Sequence, residues 1–177
     1  CWSLVGSEMC IRDRSMTQPK PKFGFKIEKK VLSQIGGIPE NSILCKPQVV
    51  STGLPFPIVL VDSLETLKKV TIDYRALDTF RATSSENDLM EPFWVCLSSP
   101  RENGITFSRL LLQSSGRSED PFTGSATGAM AAYLWDNDLI QNPTFIAHQG
   151  DFLGRPGEAE VEVLGRPGNI SGVTVTG

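Results

Sequence analysis

Histidine is nearly missing from this sequence and cysteine is sparse, with one of the former and four of the latter among 177 residues. No Cys-x-x-Cys pair occurs and nothing joins His148, so there is no ligand set for a metal and neither a metal nor a cofactor is expected. Cys1 and Cys10 fall in an atypical leader, while Cys45 and Cys96 stand singly within apolar runs, as buried hydrophobes do. Such usage fits a reducing cytoplasm. No apolar run approaches the ~20 residues of a spanning helix, which argues against a membrane. A basic excess is also lacking: 17 Lys and Arg face 20 Asp and Glu, for a net charge of -3. The small group Lys20, Lys22, Lys26, Lys29 and Lys30 reads as a solvated helix face and its approach, so no nucleic-acid partner is expected. What remains, 40% hydrophobic and 21% charged, is the composition of one ordinary globular domain.

The most informative stretch is Glu119 to Trp135. After Asp120 no Asp, Glu, Lys, Arg or His appears until Asp136. Asp120, Thr123 and Ser125 are residue types that satisfy free N–H groups at a helix start, and Gly124 and Gly128 permit close approach, so a helix is expected from about Gly124. Ala126, Gly128, Ala129, Ala131 and Ala132 alternate with Met130, Leu134 and Trp135, leaving no face for water. At about 16 Å such a helix is too short for a bilayer and suits a sheet-lined interior. Its free N–H groups and dipole would seat a carboxylate or phosphate. Spacing alone leaves Asp120 two roles, a helix cap or a carboxylate that orients or transfers a proton.

Along the chain, residues 1 to 15 lack the apolar core of a secretion signal and are set aside as a non-native leader without contacts to the core. Met16 to Phe25, rich in Pro and Lys, reads as an extended connector. Ile27 to Ile35 reads as an amphipathic helix stopped by Gly36-Gly37. Strands are expected over Val49–Thr52 and Ile58–Val61, and then Asp62 with Glu65 has the spacing of a capping box. Short helices over Leu64–Val70 and Asp73–Phe80 follow, and then strands over Phe93–Ser98 and Ile105–Leu112. The second of these alternates as if one face were wet, and leads into a loop carrying Arg117, Glu119 and Asp120. Thr144–Ala147, Glu158–Leu164 and Ile170–Val175 form an all-strand tail. Gly-Arg-Pro-Gly at Gly154 and again at Gly165 marks turns before strands.

Three familiar sites are not met. Ser125 follows one glycine directly and precedes the next by three, which is not a Gly-x-Ser-x-Gly elbow, and His148 has no triad partner in view, so it reads as a surface or structural residue. Gly124 to Gly128 runs on into Ala-Met, not the Lys-Ser or Lys-Thr of a P-loop. The Gly-x-x-x-Gly spacing means close packing.

Glu119-Asp120-Pro121-Phe122-Thr123-Gly124-Ser125 resembles the Glu-Asp-Pro-x-Thr-Gly-Ser motif of phenazine-biosynthesis PhzF-like proteins. Val50 to Leu54, Gln149-Gly150 and Gly154-Arg155-Pro156 support the likeness, which covers nearly everything from Met16 to Gly177. The resemblance implies an α+β, diaminopimelate epimerase-like fold, a strongly bent mixed sheet forming a half barrel around a central buried helix. It also implies that residues 16 to 177 are the C-terminal half of the family sequence, lacking the first half and the last few residues.

By the same resemblance, the complete enzyme moves a proton on a small carboxylate-bearing substrate without metal or cofactor, as an isomerase or epimerase. Asp120 and Ser125 are the implied catalytic residues, with Thr123, Gly124 and Ser125 holding the substrate. The family's glutamate base and its Gly-His-Pro histidine belong to the first half, and neither segment is present, so this chain alone is expected to be inactive. No Cys neighbours Gly124 to Gly128, which excludes the two-thiol mechanism of related racemases at this motif. Family members are commonly homodimers. The rival expectation is a non-catalytic binding or interaction domain on the same scaffold.

Overall fold

A computed structural model describes residues 14–86, 88–113 and 118–177, so Arg117 and most of the leader lie outside the described residues. Among the described residues ten strands make one sheet: β1 (Ser15–Gln18), β2 (Lys22–Lys26), β3 (Gln48–Ser51), β4 (Pro55–Val61), β5 (Phe93–Cys96), β6 (Gly104–Leu111), β7 (Glu119–Asp120), β8 (Thr144–Gln149), β9 (Gly157–Arg166) and β10 (Asn169–Thr176). Their spatial order is β1-β10-β9-β8-β6-β5-β4-β3-β2, with β7 beside β6. The sheet is mixed, because β4–β5 and β6–β8 run parallel and the other pairs antiparallel.

β1 and β2 stand at opposite ends of that path, yet only Pro19-Lys20-Pro21 separates them in sequence. Four Cα steps span at most about 14 Å, so the two edges must come close and the sheet must bend into a half barrel. The bend encloses α4 (Gly124–Asp136), whose residues Ala126 to Leu134 are all buried. The outer face carries α1 (Lys29–Gly36), α2 (Leu64–Lys69) and α3 (Tyr74–Thr83). The two faces have separate cores. In β4, Phe56, Ile58 and Leu60 join the core around α4, whereas Val59 and Val61 join the one beneath the outer helices. Covered on both sides, the strand reads as a continuous apolar run. In β9 only Ala159, Val161 and Val163 are buried, against α4, and Glu158, Glu160 and Glu162 face water, because no β9 residue joins the core beneath α1, α2 and α3.

Several local expectations are corrected. The Met16 to Phe25 connector forms β1 and β2. Arg14 and Ser15, counted with the leader, pair with Gly177 and Thr176 at the far edge. The cap of α2 is Ser63, not Asp62: its hydroxyl accepts the Thr66 N–H at 3.1 Å, and Asp62 instead accepts from that hydroxyl. β6 has no wet face over most of its length, since Leu110 joins the core around α4 while Phe107 and Leu111 join the one beneath the outer helices, and Thr106 and Ser108 are buried as well. Both Gly-Arg-Pro-Gly copies are turns before strands, with left-handed glycines at Gly154, Gly165 and Gly168. Cys96 is buried and its thiol is pushed up to about 11, first by desolvation, whereas Cys45 is half-buried.

Candidate active site

The turn before α4 is fixed from its first residue. β7 pairs with the end of β6, Asp120 opposite Leu110 and Glu119 opposite Leu111. Glu119 accepts two parallel bonds from Arg109, Nε to Oε1 at 2.9 Å and Nη2 to Oε2 at 2.8 Å. Nη1 of Arg109 donates to the carbonyls of Leu67, Lys68 and Val70, closing the C-terminus of α2. Glu119 is therefore a buried anchor, and strand alternation turns Asp120 to the other face.

Asp120 Oδ2 accepts the Thr123 hydroxyl at 2.6 Å. Behind this pair lies the side chain of Gln149, wholly buried, whose Oε1 accepts the Thr123 N–H at 3.1 Å while Nε2 donates to the Asp120 carbonyl at 2.8 Å. Gly150 takes a φ of +90°, and a β-carbon there would stand 2.5 Å from the Pro121 carbonyl oxygen. A β-carbon on Gly157 would come within 2.9 Å of the Phe122 ring. Bare glycine backbone thus supports the turn from behind.

α4 then begins without the expected caps. Thr123 occupies the cap position but makes no side-chain cap bond, its hydroxyl being committed to Asp120. Neither Asp120 nor Ser125 bonds the first-turn N–H groups of Gly124, Ser125 and Ala126, so the positive end of the helix stays open. The carbonyls beneath are held: Gln18 Nε2 donates to Gly124 at 2.8 Å and the Thr52 hydroxyl lies 3.3 Å from the Ser125 oxygen. Thr52 also bonds the Gln18 amide oxygen. Asp120, Thr123, Gly124 and Ser125 are all half-buried, so this end of the helix can be reached although Ala126 to Leu134 are buried.

His148 is buried, not a surface residue, and it does have neighbours. Its Nδ1 lies 2.6 Å from Ser99 Oγ and its Nε2 3.5 Å from Glu158 Oε2. A carboxylate can only accept, so the ring proton belongs on Nε2 and Nδ1 takes the Ser99 hydroxyl. Burial, and then the charge of Arg101, lower its pKa below the ordinary 6.5. The order is that of a serine–histidine–carboxylate relay. Ser99 Oγ, however, also accepts the Arg101 N–H, and a β-carbon on Gly104 would lie 2.3 Å from Nδ1, so the hairpin closes over the ring. This cluster fastens the β5–β6 hairpin to β8. Arg101 extends it, donating to the Gly157 carbonyl at 2.6 Å, with Nε 2.8 Å from Asp151 but out of hydrogen-bond alignment.

Asp120, Thr123, Gly124 and Ser125 stand together in the sequence motif, and the fold gathers them with Thr52 and Gln149. Gln18, in the expected connector, carries no such signal, nor does Arg109, whose partners lie 10 to 42 residues away. An apolar cleft of about 340 Å³, lined by Leu97, Ile105, Leu139, Ile140 and Phe145, lies by the loop after the other end of α4.

Known proteins resemble the chain in sequence and in fold. The family model described as phenazine biosynthesis-like protein, PhzC-PhzF, matches residues 13–177. An uncharacterized isomerase of Clostridium acetobutylicum is 32% identical over 160 residues, 84% of this chain and 51% of that protein. A second, from Bacillus subtilis, is 30% identical over 180 residues, 92% of this chain and 56% of its own length. Among solved structures, a PhzF-family phenazine biosynthesis protein of Bacillus anthracis superposes with a TM-score of 0.76 at 24% identity, over 92% of this chain and 56% of that one. A protein of Pseudomonas aeruginosa described as a predicted epimerase gives 0.67 at 28%, over 92% and 54%. The chain spans about half the length of the curated relatives it matches. With the family model matched over nearly the whole chain, and the bent sheet wrapped around α4 shared with the solved structures, this chain belongs to the PhzC/PhzF phenazine biosynthesis-like protein family.

Proposed function

We propose that the complete protein is a metal- and cofactor-independent isomerase or epimerase of a small carboxylate-bearing metabolite, and that this chain supplies the half that holds the carboxylate. The observation that carries the reading is the open first turn of α4, with Asp120 fixed beside it by Thr123. A carboxylate there would accept the N–H groups of Gly124 and Ser125 and the Ser125 hydroxyl, gaining from the helix dipole. Thr123 shapes the seat through its hydroxyl, because its N–H is taken by Gln149.

The reaction is then a proton transfer without net redox change. A base removes a proton from the carbon next to an activating group, the charge delocalises, and a proton returns at another carbon or on the other face. Asp120 orients or relays that proton. The base is the glutamate expected from the first half of the family sequence, and the two halves enclose the substrate. The complete protein is a cytoplasmic homodimer in this reading. Isomerase is also the word attached to the curated relatives from Clostridium acetobutylicum and Bacillus subtilis.

The second reading is a non-catalytic small-molecule-binding or interaction domain. It draws on the one histidine, which is held between Ser99 and Glu158 and so is not free to assist a base. Solvent-deuterium incorporation separates the two. The isolated chain and a version fused to the first half of the Bacillus subtilis relative are incubated with a panel of small carboxylic acids in D2O, followed by proton NMR. Exchange in the fusion alone is expected. Exchange at equal rates would place the base within this chain, and exchange in neither would favour the binding domain.

A further inference from the structure

β1 adjoins the start of α4. In its antiparallel pairing with β10, Met16 stands opposite Val175 and Gln18 opposite Val173. Directly opposed residues share a face, and both valines belong to the core around α4, so Met16 and Gln18 face that helix. Gln18 is 5% exposed and bonded to Gly124, whereas Met16 is 51% exposed. A large apolar side chain is therefore half open to water on the concave face, at the helix start. Apart from its own helix and its two chain neighbours, a β-carbon built on Gly124 meets one atom of the described residues within 4 Å, the Met16 methyl at 3.9 Å. Among the described residues the space above Gly124 is open, with the thioether as its wall.

We propose that Met16 is a specificity-determining residue of this site, selecting carboxylates that carry an alkyl group over those that carry a second charge. The inference rests on the carboxylate seat proposed above. With the carboxylate on the Gly124 and Ser125 N–H groups, its carbon chain runs past Gly124 along Met16. Alkyl carbons there lose water contact against a flexible, polarisable side chain. A second charge would be desolvated against the same methyl.

The test follows the amide resonances of Gly124 and Ser125, and the Met16 methyl resonance, while the chain is titrated with acetate, hexanoate or adipate. Hexanoate and adipate share one carbon chain and differ in a terminal charge. Hexanoate is expected to bind about tenfold more tightly than acetate or adipate and to shift the Met16 methyl. Met16→Ala should shrink the preference to about threefold or less and leave acetate binding nearly unchanged, while Met16→Leu retains it. Equal affinities for the three acids, or a preference that survives Met16→Ala, overturns the role of Met16 and makes its surface a contact for another part of the longer protein. If no acid moves Gly124 or Ser125, the carboxylate seat itself is refuted and the role of Met16 with it.

Discussion

The side-chain amide of Gln18 fills the space that a β-carbon on Gly128 would need: its Oε1 lies 2.0 Å from that position and its Cδ 2.5 Å. The amide cannot simply swing away, because Gly124 and Thr52 hold its two ends. Gly128→Ala should thus destabilise the fold by about 1 to 3 kcal/mol, even though alanine is the better helix former. In a Gln18→Ala background the obstacle is gone, so the same substitution should become neutral or stabilising by up to about 1 kcal/mol. Urea unfolding of the four proteins reads this reversal, and two equal effects would show that Gln18 does not set the space at Gly128.

Arg109 and Glu119 are 11% and 5% exposed at the side chain and form a bidentate pair. Arg109→Met leaves a carboxylate buried without a partner and frees three carbonyls at the end of α2, a loss of about 3 to 5 kcal/mol. The double variant Arg109→Met with Glu119→Met should recover much of it. Denaturant midpoints check both, and a double variant no better than the single one would contradict the pairing.

His148 is buried in its neutral form, with a pKa lowered from 6.5 by desolvation first and Arg101 second. The unfolded chain therefore binds more protons than the folded one in the window at and below the ordinary value, and stability rises with pH there. The contribution is complete above about 6.5 and declines as pH falls through that value towards the folded pKa. His148→Gln, which can still meet Ser99, should flatten this part of the stability profile. An unchanged slope between pH 5 and 7 would place the titration elsewhere.

Much of the centre of the fold is legible in the sequence. From Ala126 to Leu134 no residue carries a charge, and a helix of that composition has only the interior to occupy. The alternation of Glu158, Ala159, Glu160, Val161, Glu162 and Val163 shows a strand with one wet face. What could not be read depends on distant partners. Gln18 looks like linker because its hydrogen-bond partner is 106 residues away. The even burial of β6 is set by separate cores on its two faces, and Asp62 loses its capping role to Ser63 through a one-residue difference in where the chain turns. At the site, residue types in order name Asp120, Thr123, Gly124 and Ser125. That Thr123 spends its hydroxyl on Asp120 and leaves the helix start open is geometry.

In the proposed function the turn from Asp120 to Ser125 works on a carboxylate and is not merely a helix start. The most direct measurement is the initial rate of solvent-deuterium incorporation by the fusion carrying a family first half, compared between Asp120 and the isosteric Asp120→Asn. Loss of a group that orients or relays the proton should slow the rate about 100-fold or more, with the fold and the Thr123 contact retained. An Asp120→Asn fusion that exchanges at the unsubstituted rate would contradict the account.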